Sequence, residues 1–178
     1  MKENNPIQTL MDEHDLISST EGIISKLDGT WLENEAKYAE SIQKLLTFFK
    51  EYSDHFHHRK EEEVLFKELR DNPEFLLNDI VNELEEHHEM FRNTIKEIEQ
   101  ALENSDYEKV QLLCAGYIND LLDHIAVEND ELFIMAESIF SEDELERMFF
   151  LFQDIEMELG QDRKQQLAEG LKILDNES

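Results

Sequence analysis

A single cysteine, two prolines and five glycines are spread over 178 residues, and each scarcity rules something out. One thiol, Cys114, cannot close an internal disulfide, so the chain reads as a protein of a reducing cytoplasm. So few turn formers disfavour a sheet protein with many reversals and favour long uninterrupted helices. Basic residues are scarce too: 16 Lys and Arg stand against 44 Asp and Glu, a formal charge of −28. A field of that sign repels nucleic acid and anionic membrane, and neither is expected as a partner. No stretch approaches the roughly 18 apolar residues of a membrane span, and Met1 to Leu10 has no apolar core of signal-peptide length.

What is present is helical periodicity. Asn5-Pro6 is a helix-opening pair, and Ile7, Leu10, Met11, His14, Ile17, Ile24 and Leu27 fall near one stripe before Asp28-Gly29 ends it. A second helix is expected from Thr30 to about Asp71, with Leu45, Leu46, Phe49, Tyr52, Phe56, His57, Leu65, Phe66 and Leu69 inward. Asn72-Pro73 repeats the opening signal, and Leu77, Ile80, Leu84, His88, Phe91, Ile95, Ile98 and Leu102 mark a third inner face to about Asn104. Ser105 to Glu108 has the form of a capping box for a fourth helix, whose inner set includes Leu121, His124, Val127, Glu128 and Leu132. Ser141 to Glu144 is another capping box, opening a Phe-rich helix that Gly160 stops; a last helix spans about Arg163 to Leu174. The Phe-rich helix reads as cover for the bundle, with a dimer seam as the lesser alternative. Short connections make neighbours antiparallel. The expected fold is therefore all-α: an up-down-up-down four-helix bundle over about 6–138, with one or two extra C-terminal helices over about 141–175, in one domain of 1–178.

The chemistry lies in an internal repeat. His57-x-x-x-Glu61-x-x-x-Leu65-Phe66 recurs as His124-x-x-x-Glu128-x-x-x-Leu132-Phe133, and the stretch around His14 resembles that around His88. On a helix His and Glu at i and i+4 share a face and can meet one ion, while the second carboxylate oxygen remains free for a neighbouring ion. An apolar stripe cannot cheaply hold Glu128 without a partner cation. His14, His57, Glu61, His88, His124 and Glu128 are accordingly the candidate ligands of a binuclear metal site. Within 57–63 the pair His58 and Glu62 has the same spacing; the register that also aligns Leu65-Phe66 with Leu132-Phe133 favours His57 and Glu61. His87 reads as an outer partner or an exposed residue and His55 as solvated. Glu13 and Glu62 are candidates for orienting imidazoles through their second nitrogen, or else plain surface carboxylates. Trp31, Tyr52 and Tyr117 read as packing residues, though a tyrosine beside such a site could donate a hydrogen bond to a bound ligand.

Taken as a set, Glu13-His14, His57-His58-Arg59-Lys60-Glu61-Glu62, His87-His88, and His124 with Glu128 give the chain from about Pro6 to Ala136 a sequence that resembles the hemerythrin-like, His-His-Glu cation-binding family. The resemblance implies a four-helix bundle around two non-haem iron ions, carboxylate- and oxo- or hydroxo-bridged, with the six residues above as ligands. It implies binding of oxygen or nitric oxide for sensing, buffering or iron handling. The alternatives are a ferroxidase or peroxide-consuming oxidase, and a metal-braced interaction module without redox chemistry; the chain would act as a monomer or homodimer. Three departures from the family pattern stand out. The positions one turn from His88 are Leu84 and Arg92, where oxygen-carrying members have a second His, Lys67 and Ile134 replace the Pro that often follows Leu-Phe, and the Cys-bearing N-terminal domain usual in the iron-centre repair branch is not expected here.

Overall fold

The computed structural model describes residues 4–177, and among them every regular element is a helix. Asn5 accepts hydrogen bonds from the amides of Ile7 and Gln8, and Pro6 opens α1 (Pro6–Ser18). Ser19 interrupts the rod by turning its hydroxyl onto the Leu16 carbonyl, and α2 (Thr20–Leu27) continues to a left-handed Gly29 at φ 76°. Thr30 does not start the second long helix. Thr30–Leu32 form a single 3-10 turn, and Asn34 caps α3 (Glu35–Phe48) by accepting from the Lys37 amide.

Beyond α3 the same rod changes winding. Phe49–His58 and Glu61–Leu65 hydrogen-bond in the wider i→i+5 pattern before α4 (Phe66–Asp71) returns to the ordinary one. Such π-helical winding is rare and concentrates at functional sites. The third long helix begins five residues later than Asn72-Pro73 suggests, because the Asn72 side chain accepts from the Glu74 amide and closes a turn instead of capping a helix. Phe75 plugs the core from that turn, and α5 runs from Asn78 to Glu103. Ser105 does not form its capping box: it takes φ 55°, and Asp106 caps α6 (Tyr107–Val127) by accepting from Lys109. A third π segment, Glu128–Leu132, joins α6 to α7 (Phe133–Ile139). The Ser141–Glu144 box does form and starts α8 (Glu142–Leu159); after Gly160, α9 spans Gln161–Glu177, longer than the expected 163–174.

Two apolar clusters fill the interior. One gathers Ile17, Ile42, Phe49, Phe91, Ile118 and Leu121 with Leu167 and Leu171 of α9. The other gathers Leu10, Phe66, Leu84, Phe133 and Met148 with Phe152 of α8. Between the two lie the buried histidines and acids of the rods: His14 between Leu10 and Ile17, His88 between Leu84 and Phe91, Glu128 between Ile125 and Leu132. The periodic pattern overreached at Met11, Leu77 and Val127, which face outward. Met11 and Val127 each neighbour a buried stripe member, and Leu77 precedes its helix. No helix among the described residues is long and apolar enough to cross a membrane.

Candidate metal centre

All six expected ligands converge in the belt between the clusters, each 1% exposed or less. His14 comes from α1, His57 and Glu61 from the π-wound rod, His88 from α5, His124 from α6, and Glu128 from the π segment after it. The Glu61 carboxylate lies between two sets of imidazoles. Its Oε1 is 3.4 Å from His57 Nε2 and 3.8 Å from His14 Nε2, and its Oε2 is 3.5 Å from His88 Nε2. Glu128 Oε2 lies 3.2 Å from His14 Nε2 and 3.3 Å from His124 Nε2. Two four-donor clusters with metal-ligand spacing result: His58, Glu61, His88 and His124, and His14, His57, Glu61 and Glu128. Glu61 belongs to both.

His58 is the residue that sequence reasoning treated as an alternative and the fold brings in alongside His57. On an ordinary helix adjacent side chains diverge by about 100°, so one of the pair would leave the belt. The i→i+5 winding of Phe49–His58 narrows that angle, and His58 is buried with its ring stacked 3.9 Å from that of His88. Glu62, its suggested companion, is not brought into either cluster and sits at the edge, bonded to His88 and Arg92. The only sequence signal for this was the His57-His58 doublet itself.

Every one of the five imidazoles is held from behind by its Nδ1. His14 donates to Asn129 Oδ1 at 2.9 Å, His57 to Glu13 Oε2 at 3.0 Å, and His88 to Glu62 Oε1 at 2.8 Å. His58 reaches Asp54 Oδ1 at 3.4 Å, and His124 shares a proton with His87 Nδ1 at 3.3 Å. Glu13 and Glu62 thus occupy the orienting positions expected of them, and His87 is an outer partner. Acceptors at Nδ1 fix the tautomer with the proton outside and the Nε2 lone pair facing inward, as metal sites require. His55 is exposed, Trp31 packs on Tyr38, and Tyr52 stacks on Phe48.

The interior of the belt is chemically incomplete as protein alone. Nε2 of His14 and all four oxygens of Glu61 and Glu128 are buried without a hydrogen bond. Nε2 of His88 and of His124 face each other at 3.1 Å, although both rings have their protons directed outward. Burial, reinforced by the Glu128 and Glu13 carboxylates, pushes the Glu61 carboxyl well above its ordinary range. Burial also carries His57 down to about 3, with His14 adding to the effect, and takes His88 well below the usual imidazole range. Neutral imidazoles are the ligating form. Unpaired buried carboxylates and inward lone pairs are costly unless cations lie among them. The donor set of nitrogen and carboxylate oxygen suits first-row transition ions. Cys114 takes no part, since it lies in the apolar cluster and burial pushes its thiol up to about 12.

Solvent comes near the belt from one side. A cleft of about 280 Å³ lies between α5 and the π-wound rod, lined by His58, Asp54, Phe91, Arg92 and Tyr117 among others. Arg92 closes part of it by pairing with Asp54 and Glu62, the outer partners of His58 and His88.

Among known families, the model of the hemerythrin HHE cation binding domain matches residues 5–136, a span that ends before α8 and α9. No curated protein and no solved structure matched the chain.

Proposed function

This chain belongs to the hemerythrin HHE cation-binding domain family, and from that premise we propose that it is a non-haem di-iron protein that takes up a small diatomic ligand, oxygen or nitric oxide, for sensing, buffering or iron handling. The observation that carries this reading is the set of five inward imidazoles around two carboxylates that lack any other partner. His58, His88, His124 and Glu61 would hold one ion, and His14, His57, Glu61 and Glu128 the other. A carboxylate shared between two ions is the mark of binuclear centres. Bound there, iron supplies a one-electron couple and coordination positions for a small exogenous ligand.

The protein's own part is positional and electrostatic. Glu61 and Glu128 contribute two negative charges that offset part of the charge of two divalent ions. Four donors per seat are fewer than the six of an octahedral ion, which leaves room for a diatomic molecule. Phe91 and Tyr117 make the cleft wall beside His58 predominantly non-polar, which favours a small uncharged ligand over a hydrated ion. The lone buried Cys114 fits work in a reducing cytoplasm.

The test is to load the protein anaerobically with two equivalents of ferrous ion per chain and then admit air or nitric oxide. An absorption band in the near-ultraviolet to visible range is expected to grow and saturate in proportion to protein. A loaded protein that stays colourless would contradict the reading. Continued consumption of ferrous ion or peroxide after saturation would replace it with the oxidase alternative.

A further inference from the structure

Beyond the ring of ligands lies a second polar group, and it is completed by two helices that the family match does not include. Lys60 is 0% exposed. Its ammonium donates to Glu13 Oε1 of α1 and to Glu156 Oε1 of α8, both at 2.5 Å. Lys164 of α9 donates to the same two oxygens, at 2.6 and 2.5 Å. Two ammonium groups and two carboxylates thus close a quartet of zero net charge, with Lys60, Glu13 and Glu156 buried and Lys164 partly exposed at its edge. Glu13 alone faces both ways: Oε1 takes the two lysines and Oε2 takes the Nδ1 proton of His57.

We propose that Glu156 and Lys164 are positioning residues for the metal centre, setting through Glu13 how strongly the outer nitrogen of His57 is held. The inference rests on the reading of His57 as a metal ligand. The physical reason is charge balance in a medium of low polarity, where a single uncompensated charge is felt strongly by its neighbours. A carboxylate behind a ligand imidazole raises the basicity of the metal-facing nitrogen. Two ammonium groups on the opposite oxygen withdraw that effect, and Glu156 in turn draws the ammonium charge away from Glu13. Removing Lys164 leaves the group at −1 and makes Glu13 a stronger acceptor. Removing the Glu156 charge leaves it at +1 and makes Glu13 a weaker one. The helices α8 and α9 therefore tune the site as well as covering it.

The experiment compares Lys164→Met, Glu156→Gln and the double variant with the wild-type full chain. One arm is proton NMR of the metal-free protein, reading the His57 Nδ1–H resonance. The other is titration with Co(II), reading the affinity from the ligand-field absorption. Lys164→Met is expected to move the resonance downfield and tighten Co(II) binding, and Glu156→Gln to do the reverse. Each affinity change should lie within the roughly 10–100-fold that a direct outer partner commands. The double variant keeps Lys60 paired with Glu13 at balanced charge, and both readouts should return towards wild type. Shifts of the same sign in the two single variants, no shift, or a double variant that does not restore either readout would overturn the proposal. Should a single variant not fold, the double variant decides alone: recovery of fold and of both readouts supports the proposal, and its loss overturns it. Wild-type protein that fails to bind Co(II) would instead refute the ligand reading, while the NMR arm still judges the quartet.

Discussion

Glu61→Leu is expected to abolish loading of both ions while making the metal-free protein more stable. Glu61 is common to the two donor clusters, so its loss removes a ligand from each. Metal affinity should fall by more than the roughly 10–100-fold that follows loss of an outer partner. The stability change runs the other way because both Glu61 oxygens are buried without a hydrogen bond in the metal-free chain. An unsatisfied buried polar group costs about 1–3 kcal/mol, and leucine restores apolar contact at similar volume. For a chain of this size that relief corresponds to roughly 2–12 °C in the unfolding midpoint. Metal content by elemental analysis and thermal unfolding in chelator check the two halves. A variant that keeps two ions, or one whose metal-free form unfolds below metal-free wild type, would contradict the account.

The second large effect is that of the metal itself on wild-type protein. The residues proposed as its ligands come from four separate rods, and in the metal-free state they leave unpaired carboxyl oxygens and facing lone pairs in the core. Ions bind only the folded arrangement. At free metal a thousandfold above Kd, the linkage amounts to about 4 kcal/mol, or ~8–16 °C for a chain of this length. Unfolding followed by circular dichroism with and without chelator measures it. Midpoints within about 2 °C of each other would mean that the belt does not take up metal to any useful extent.

Much of this was legible in the sequence, for identifiable reasons. Helices with one buried stripe advertise themselves through spacings of three and four, and the repeated His-x-x-x-Glu-x-x-x-Leu-Phe text carried the register of His57, Glu61, His124 and Glu128. What failed did so where a local competitor won. Asn34 and Asp106 took the caps read at Thr30 and Ser105, and the Asn72 side chain closed a turn instead of starting a helix. His58 reads in sequence only as an alternative to His57, because the ordinary helical angle separates neighbours, and nothing in composition announces the π winding that brings it in beside His57. Lys60 was hidden in Arg59-Lys60-Glu61-Glu62-Glu63, a run that reads as a solvated face. Only tertiary packing places α8 and α9 so that Glu156 pairs with it and Lys164 completes a neutral quartet. Asn129 and Asp54, which hold His14 and His58, likewise carry no pattern of their own.

The central claim is that two cations sit in one buried belt and share Glu61. Anomalous diffraction at the iron edge, from crystals of protein loaded with ferrous ion, tests it most directly. The account predicts two peaks per chain, roughly 3.5–4 Å apart as in binuclear centres, one among His58, His88 and His124 and the other among His14, His57 and Glu128, with Glu61 touching both. A single peak, or peaks away from these side chains, would contradict it.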